Sequence, residues 1–179
     1  MIFHRTRLSG AYIIEIEKRM DNRGFFARSF CRQEFDKHGL NPDIMQTNIG
    51  FSQSRGTLRG LHYQLPPHAE TKLIRCTDGS LYDVILDLRL NSRTFKQWMG
   101  IELSSRNYKM LYVPGGFAHG YLTLEDNTEV LYQVSEYYSP DSERGIRWND
   151  KNFAIEWPTM ENLIISEKDQ QWPDWSPDY

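Results

Sequence analysis

The 179-residue chain has little of what zinc sites, membrane spans or nucleic-acid-binding surfaces need. Its two cysteines, Cys31 and Cys76, form no close pair that would bind zinc or exchange disulfides, and we expect two buried thiols. No apolar run approaches the roughly 18 residues of a membrane-spanning helix, and the start lacks the basic-then-apolar order of a signal peptide. The formal charge is −3 with no long run of one sign, which argues against bulk attraction to nucleic acid. We therefore expect a cytoplasmic protein without membrane or nucleic-acid partners.

The composition is that of a folded protein with an excess of aromatic residues. Hydrophobic residues make up 39%, charged residues 25% and aromatic residues 13%, which excludes disordered and coiled-coil classes. Aromatic side chains pack well on pleated sheets. Because the chain shows no internal repeat or linker, and a domain usually has about 150 residues, we predict one all-β domain over residues 1–179.

Alternation with period two predicts many short strands. It points Tyr132 inward from residues 128–134, and at residues 80–88 it places Asp83 and Asp87 on a face polar enough to meet water or a ligand. Further strands are predicted at residues 13–16, 73–76, 98–103 and 110–113, and one helix at residues 31–40. Short strands at this spacing favour a sandwich or barrel, and we expect the tail after Trp157 to pack over it.

Two histidines lie in glycine-rich segments, His62 in GTLRGLHYQ (56–64) and His119 in PGGFAHG (114–120). These segments resemble the paired histidine motifs of the cupin jelly roll, in which a metal binds His-x-His and a later histidine. Gln64 occupies the second ligand position here, and an amide oxygen is a poor substitute for imidazole at a transition metal. The resemblance therefore predicts a barrel site without metal or other cofactor. Surface or loop roles are expected for His4, His38 and His68.

A histidine without metal at a barrel mouth can act as a general base. A carboxylate behind it would fix its tautomer, and spacing leaves four candidates open: Asp83, Asp87, Asp150 and Asp169. Tyr132, if it points inward, is the candidate for a second proton carrier. Three basic residues in or near these segments suit anionic ligands: Arg23, Arg59 and Lys72.

From about Asp21 to Asp169 the chain resembles the nucleotide-sugar 3,5-epimerase family typified by dTDP-4-dehydrorhamnose 3,5-epimerase. The resemblance rests on DNRGFFARSF (21–30), QTNIGFS (46–52), LRGLHYQ (58–64) followed by PPHAETK (66–72), PGGFAHG (114–120) and ISEKD (165–169). It implies a small cupin-type jelly-roll barrel with a few short helices, whose subunits form homodimers and exchange N-terminal strands. It also implies a nucleoside-diphosphate 4-keto-6-deoxyhexose as substrate, with neither metal nor nicotinamide needed.

The resemblance also implies a role for each matching residue. His62 is then the base, Asp169 its orienting carboxylate, Tyr132 the acid on the opposite side, and Lys72 the cation near the developing oxyanion. His119 and Arg59 would hold sugar and diphosphate. The remaining binding positions are Arg23 from the partner chain, Phe26 and Arg28 in FFARSF, and Gln46, Asn48, Tyr138 and Glu143 at the nucleotide end.

Arg28 departs from the family pattern, which carries an acidic residue associated with reading thymine. Arginine can only donate hydrogen bonds, so it suits a base that presents an acceptor, such as cytosine. A CDP-4-keto-3,6-dideoxyhexose 5-epimerase is therefore the alternative to the dTDP-sugar 3,5-epimerase. Two other readings are a 3,4-ketoisomerase and a non-catalytic sugar-nucleotide binding module. Supply of deoxysugar for lipopolysaccharide O-antigen, another polysaccharide or a natural product fits equally well.

Overall fold

Two β-sheets face each other in the computed structural model, which describes residues 1–158 and 161–176. The strands of these residues are β1 (Ile2–Arg5), β2 (Tyr12–Glu15), β3 (Arg19–Asp21), β4 (Gly24–Phe26), β5 (Gln46–Ser52), β6 (Thr57–Gln64), β7 (Lys72–Asp78), β8 (Ser80–Asp87), β9 (Trp98–Ser104), β10 (Met110–Val113), β11 (Phe117–Thr123), β12 (Thr128–Val134), β13 (Glu143–Gly145) and β14 (Ile164–Ile165). The helices of the same residues are α1 (Arg32–Lys37), α2 (Glu167–Gln170) and a 3-10 turn at Pro140–Ser142.

The strand order defines a jelly-roll barrel. Sheet 1 has the order β1-β2-β10-β7-β12-β5, and sheet 2 has the order β13-β6-β11-β8-β9. All pairings in these paths are antiparallel, whereas β14 adds to β6 in parallel, and β3 pairs with β4 as a separate hairpin. The prediction of an all-β, cupin-type jelly roll with short helices is confirmed.

The main core fills the space between the two sheets. Ile74 and Val130 from sheet 1 meet Ile85 and Leu103 from sheet 2, and Tyr132 packs against this cluster as the alternation predicts. A second cluster lies on the other face of sheet 1, which α1 covers. A third cluster covers the other face of sheet 2 and includes aromatic residues of the tail, so the expectation that the tail packs on the body is confirmed.

The strand β8 differs from its prediction. Asp83 and Asp87 are both 0% exposed, so neither meets water. The reason is tertiary, because β8 pairs with β11 on one side and β9 on the other, and both faces of sheet 2 are covered. Asp87 is balanced there by Arg89, whose Nη2 lies 2.7 Å from a carboxylate oxygen.

The cysteines and helices complete the comparison with the sequence. Cys76 is buried, and burial raises the pKa of its thiol to about 11, whereas Cys31 is only half-buried, so the prediction of two buried thiols is wrong for Cys31. The helix α1 is shorter than the predicted residues 31–40, and Phe35 is its buried residue. In the described parts of the chain, no helix is long and apolar enough to cross a membrane.

Candidate active site

A cavity opens between the two sheets in two adjoining chambers of about 390 Å³ and about 370 Å³. His62, Lys72 and Tyr132 line both chambers. His62 stands on β6 of sheet 2, whereas Lys72 on β7 and Tyr132 on β12 belong to sheet 1, so a ligand would lie between them. The other predicted site residues that line the chambers are Gln46, Asn48, Arg59, His119, Tyr138, Glu143 and Asp169.

A close approach of two strands fixes the position of His62. Gly60 has φ +117°, and a β-carbon there would lie 2.5 Å from the Cα of Gly120, so only glycine fits. The strands β6 and β11 therefore run backbone to backbone at this point. Their register places His62 directly opposite His119.

Asp169 is the carboxylate that the fold brings to His62. The pairing of β14 with β6 carries the chain end back to the cavity, and Ser166 caps α2 by accepting a 3.1 Å hydrogen bond from the backbone N–H of Asp169. Oδ1 of Asp169 then lies 2.6 Å from Nε2 of His62. Of the four carboxylates that spacing left open, the structure thus selects Asp169.

Hydrogen-bond donors keep Asp169 ionised although it is buried. Its Oδ2 accepts from the backbone N–H of Gly60 at 3.2 Å, and its Oδ1 accepts from Nε1 of Trp172 at 3.3 Å. Burial raises the pKa of Asp169, but the hydrogen bonds from His62, Gly60 and Trp172 outweigh it and lower the pKa below its usual value. The ionised carboxylate binds the Nε2 side of His62, which leaves Nδ1 for the cavity.

Tyr132 and Lys72 present a proton and a positive charge from sheet 1. Burial and the nearby carboxylate of Glu70 raise the pKa of Tyr132, and Arg59 only partly offsets them, so its hydroxyl keeps its proton at neutral pH. Lys72 is 9% exposed and forms an ion pair with Glu70. The cavity thus contains a protonated phenol and a buried cation opposite a histidine.

A second histidine–aspartate pair lies beside the first. Nε2 of His119 is 2.9 Å from Oδ1 of Asp83. Apart from this contact, neither oxygen of Asp83 nor Nε2 of His119 has a hydrogen-bond partner among the described residues. Burial raises the pKa of Asp83, and the attraction of His119 only partly offsets this.

The outer end of the cavity is held by a cluster of polar contacts. Tyr138 donates a 2.8 Å hydrogen bond from its hydroxyl to Glu143, and Lys168 donates a 2.6 Å bond to the same carboxylate oxygen. Burial raises the pKa of Glu143, but these two bonds lower it overall. The backbone N–H of Tyr138 donates to Gln46 at 2.8 Å, which ties β5 to the loop after β12.

Three predicted binding residues lie away from this cavity within the chain. Arg23 and Phe26 belong to the exposed β3–β4 hairpin, where Arg23 pairs with Asp21 at 2.6 Å and Phe26 is 70% exposed. Arg28 follows the hairpin and pairs with Glu34 at 3.0 Å. Their own chain therefore gives them no contact with the site that His62 lines.

Gln64, which replaces a metal-binding histidine of the cupin motif, is used in folding. Its Nε2 donates to the carbonyls of His68 and Tyr137, and its Oε1 accepts from the backbone N–H of Ser139. Over residues 1–158 and 161–176, no three His, Cys, Asp or Glu side chains are grouped to hold a metal ion.

Sequence reasoning missed several residues of the site. Trp172, Lys168 and Tyr121 were not predicted, and Asp83 was considered only as a partner of His62. The one signal was the tryptophan-rich, otherwise polar tail. Burial raises the pKa of Tyr121 to about 12, so this cavity residue also keeps its proton.

The fold is a jelly roll, and side chains on its facing sheets that can take and give a proton fit an enzyme that moves protons, such as an isomerase. The model of the family described as dTDP-4-dehydrorhamnose 3,5-epimerase matches residues 5–176. The chain belongs to that family.

Relatives and solved structures agree with the family assignment. The dTDP-4-dehydrorhamnose 3,5-epimerase of Escherichia coli K12 is 43% identical over 168 residues, which are 93% of this chain and 90% of that protein. The crystal structure of the Elizabethkingia anophelis enzyme of the same name has a TM-score of 0.95 and 41% identity, and the match covers 98% of this chain and 96% of that one. The Bacillus anthracis enzyme, solved with TDP and PPi bound, has a TM-score of 0.93 and 44% identity, and the match covers 97% of this chain and 99% of that one.

Proposed function

We propose that this protein epimerises carbons 3 and 5 of dTDP-4-dehydro-6-deoxyglucose. The ketone at carbon 4 acidifies the neighbouring C–H bonds, so a base can remove either proton and leave an enolate. His62, oriented by Asp169 at 2.6 Å, removes the proton, and Tyr132 reprotonates the enolate from the other face. The observation that carries this proposal is the placement of His62 and Tyr132 on facing sheets of one cavity.

Lys72 stabilises the negative charge that develops on the ketone oxygen. It lies in the wall of both chambers and is 9% exposed, and a fixed cation in a site poor in water acts more strongly than one in bulk solvent. Arg59 and His119 hold sugar and diphosphate. The nucleotide binds in the chamber of about 390 Å³, which is lined by Gln46, Asn48, Tyr138 and Glu143. TDP in the similar Bacillus anthracis enzyme supports a thymidine nucleotide.

The active protein is a homodimer that exchanges N-terminal strands and works in the cytoplasm, each subunit being one domain over residues 1–179. The exposed hairpin supports this, because Arg23 and Phe26 contact nothing at the site of their own chain and would complete the site of a neighbour. Mixing His62→Ala with Arg23→Ala protein tests the exchange. The mixture should recover about one quarter of the wild-type activity, because half of the dimers are mixed and each has one intact site.

A second candidate is a CDP-4-keto-3,6-dideoxyhexose 5-epimerase, which Arg28 favours. Its guanidinium can donate hydrogen bonds but cannot accept them. It therefore suits cytosine, which presents an acceptor. Binding of CDP and dTDP to the wild type and to Arg28→Glu separates the candidates. If the wild type binds dTDP more tightly than CDP, the CDP-sugar alternative is excluded.

Deuterium exchange tests the reaction itself. The protein is incubated in deuterium oxide with dTDP-4-keto-6-deoxyglucose and, separately, with a CDP-4-keto-3,6-dideoxyhexose, and NMR follows each carbon. Deuterium at carbons 3 and 5 of the dTDP sugar is the expected result. His62→Ala should abolish it, whereas the control His4→Ala changes a histidine on exposed β1 and should not. Wild-type rates in His62→Ala would end the proposal.

A further inference from the structure

Two histidine–aspartate pairs stand side by side in the cavity, and their surroundings differ. His62 on β6 and His119 on β11 are direct partners in the strand register. Each has Nε2 directed at a buried carboxylate, Asp169 for the first and Asp83 for the second. A base and a hydrogen-bond donor can be told apart by how the environment treats each carboxylate.

The negative charge of Asp169 is stabilised by hydrogen bonds from groups other than His62. Its two oxygens accept further hydrogen bonds from the backbone N–H of Gly60 and the indole N–H of Trp172. These donors stabilise the charge, and accordingly the pKa of Asp169 is lowered. In the neutral ring of His62, Nε2–H donates to this anion and Nδ1 is free to accept a proton.

Asp83 is in the opposite situation. It is 0% exposed, and apart from Nε2 of His119 at 2.9 Å no donor among the described residues forms a hydrogen bond with either of its oxygens. The charged or titratable groups that act on it are His119 and Lys72, and it in turn acts on Tyr121. An ionised carboxylate buried without donors is strongly unfavourable. One proton placed between Oδ1 of Asp83 and Nε2 of His119 would satisfy both unpartnered atoms at their separation of 2.9 Å.

We infer that Asp83 and His119 hold one proton between them, so that Nδ1 of His119 carries a hydrogen and donates to an acceptor oxygen at the sugar end of the substrate. Burial disfavours the charged carboxylate, so the shared proton resides on Asp83 and is donated to Nε2. Nε2 is then an acceptor, and the neutral ring carries its one hydrogen on Nδ1. Nε2 is the buried nitrogen, which leaves Nδ1 for the cavity. Asp83 is thus a positioning residue, and the two pairs act as base and donor. The role in the reaction rests on the proposed function.

Nitrogen NMR of ligand-free protein labelled with ¹⁵N-histidine tests the proton assignment without any substrate. The ring signals of His119 are identified as those missing in His119→Asn. We expect a protonated Nδ1 in the wild type. An unprotonated Nδ1 in the wild type overturns the inference, and this measurement needs no variant of Asp83.

A matched variant on the same strand separates positioning from structure. Asp87 is equally buried but accepts from Arg89, Ser92 and Thr94, so Asp87→Asn should lower Tm and leave kcat/KM per folded molecule within about twofold. Asp83→Asn should leave Tm unchanged or raised and lower kcat on the order of 100-fold, with a smaller change in KM. A lowered Tm with unchanged kcat would overturn the inference. If the wild type shows the expected NMR signals but no epimerisation, the proposed function fails while the shared proton stands.

Discussion

Trp172→Phe tests whether the indole N–H tunes the base through Asp169. The substitution keeps an aromatic ring in the space above Gly145 but removes the 3.3 Å hydrogen bond from Nε1 to Oδ1 of Asp169. The carboxylate then loses one of the donors that stabilise its charge. Its negative charge acts more strongly on His62, which binds a proton more tightly. Because the reaction needs neutral His62, the acid limb of the kcat/KM profile should move to higher pH.

The size of this movement follows from the hydrogen-bond geometry. A hydrogen bond to a charged group contributes about 1.5–3 kcal/mol at good geometry, and 3.3 Å is longer than the usual N–H···O distance, so we expect about 1 kcal/mol. Since one pH unit corresponds to about 1.4 kcal/mol, the acid limb should move up by as much as about 0.7 unit.

The assay is initial-rate epimerisation from pH 5 to 9, with Trp175→Phe as the matched control. Trp175 lies in the same tail but packs against Phe95 and Phe153, away from His62. Its replacement should leave the acid limb where it is. An acid limb that stays fixed in Trp172→Phe, or that moves to lower pH, would refute the role given to the indole N–H.

Three further predictions concern the same cavity. Tyr132→Phe should keep deuterium exchange at the substrate while epimer formation falls by about 100-fold or more, because the acid on the second face is lost. An equal loss of deuterium exchange and epimer formation, measured by NMR, would contradict this role of Tyr132. Lys72→Met should lower kcat on the order of 100-fold, since the side chain keeps its length but loses the charge beside the ketone. It should also lower Tm, because the buried carboxylate of Glu70 loses its ion-pair partner. A change confined to KM in steady-state kinetics would contradict the role given to Lys72. Gly145→Ala places a β-carbon 2.2 Å from the Trp172 ring. It should therefore destabilise the fold by about 1–3 kcal/mol in urea unfolding and shift the acid limb in the same direction as Trp172→Phe. An unchanged unfolding midpoint would show that the ring moves freely.

Periodicity and motif spacing were sufficient for most strands and for the reacting pair. The alternation at residues 128–134 gave the bounds of β12 and the inward direction of Tyr132, because side chains of a strand alternate wherever the strand is placed. The segments around His62, Lys72 and His119 also identified the cavity walls. These features are local, and a resemblance in sequence carries them over residue by residue.

The resemblance named Asp169 for His62, but only the tertiary structure brings the two together and places Asp83 beside His119. Asp169 lies 107 positions from His62 and reaches it only because β14, a two-residue strand, pairs with β6. Such short elements have no pattern of their own and form through packing. Asp83 and Asp87, on the face of β8 that was predicted to meet water or a ligand, are both 0% exposed, since both faces of sheet 2 are covered. The sequence therefore determined the strands and the kinds of reactive group, whereas burial and hydrogen-bond donors, which depend on distant segments, decided the protonation of each pair.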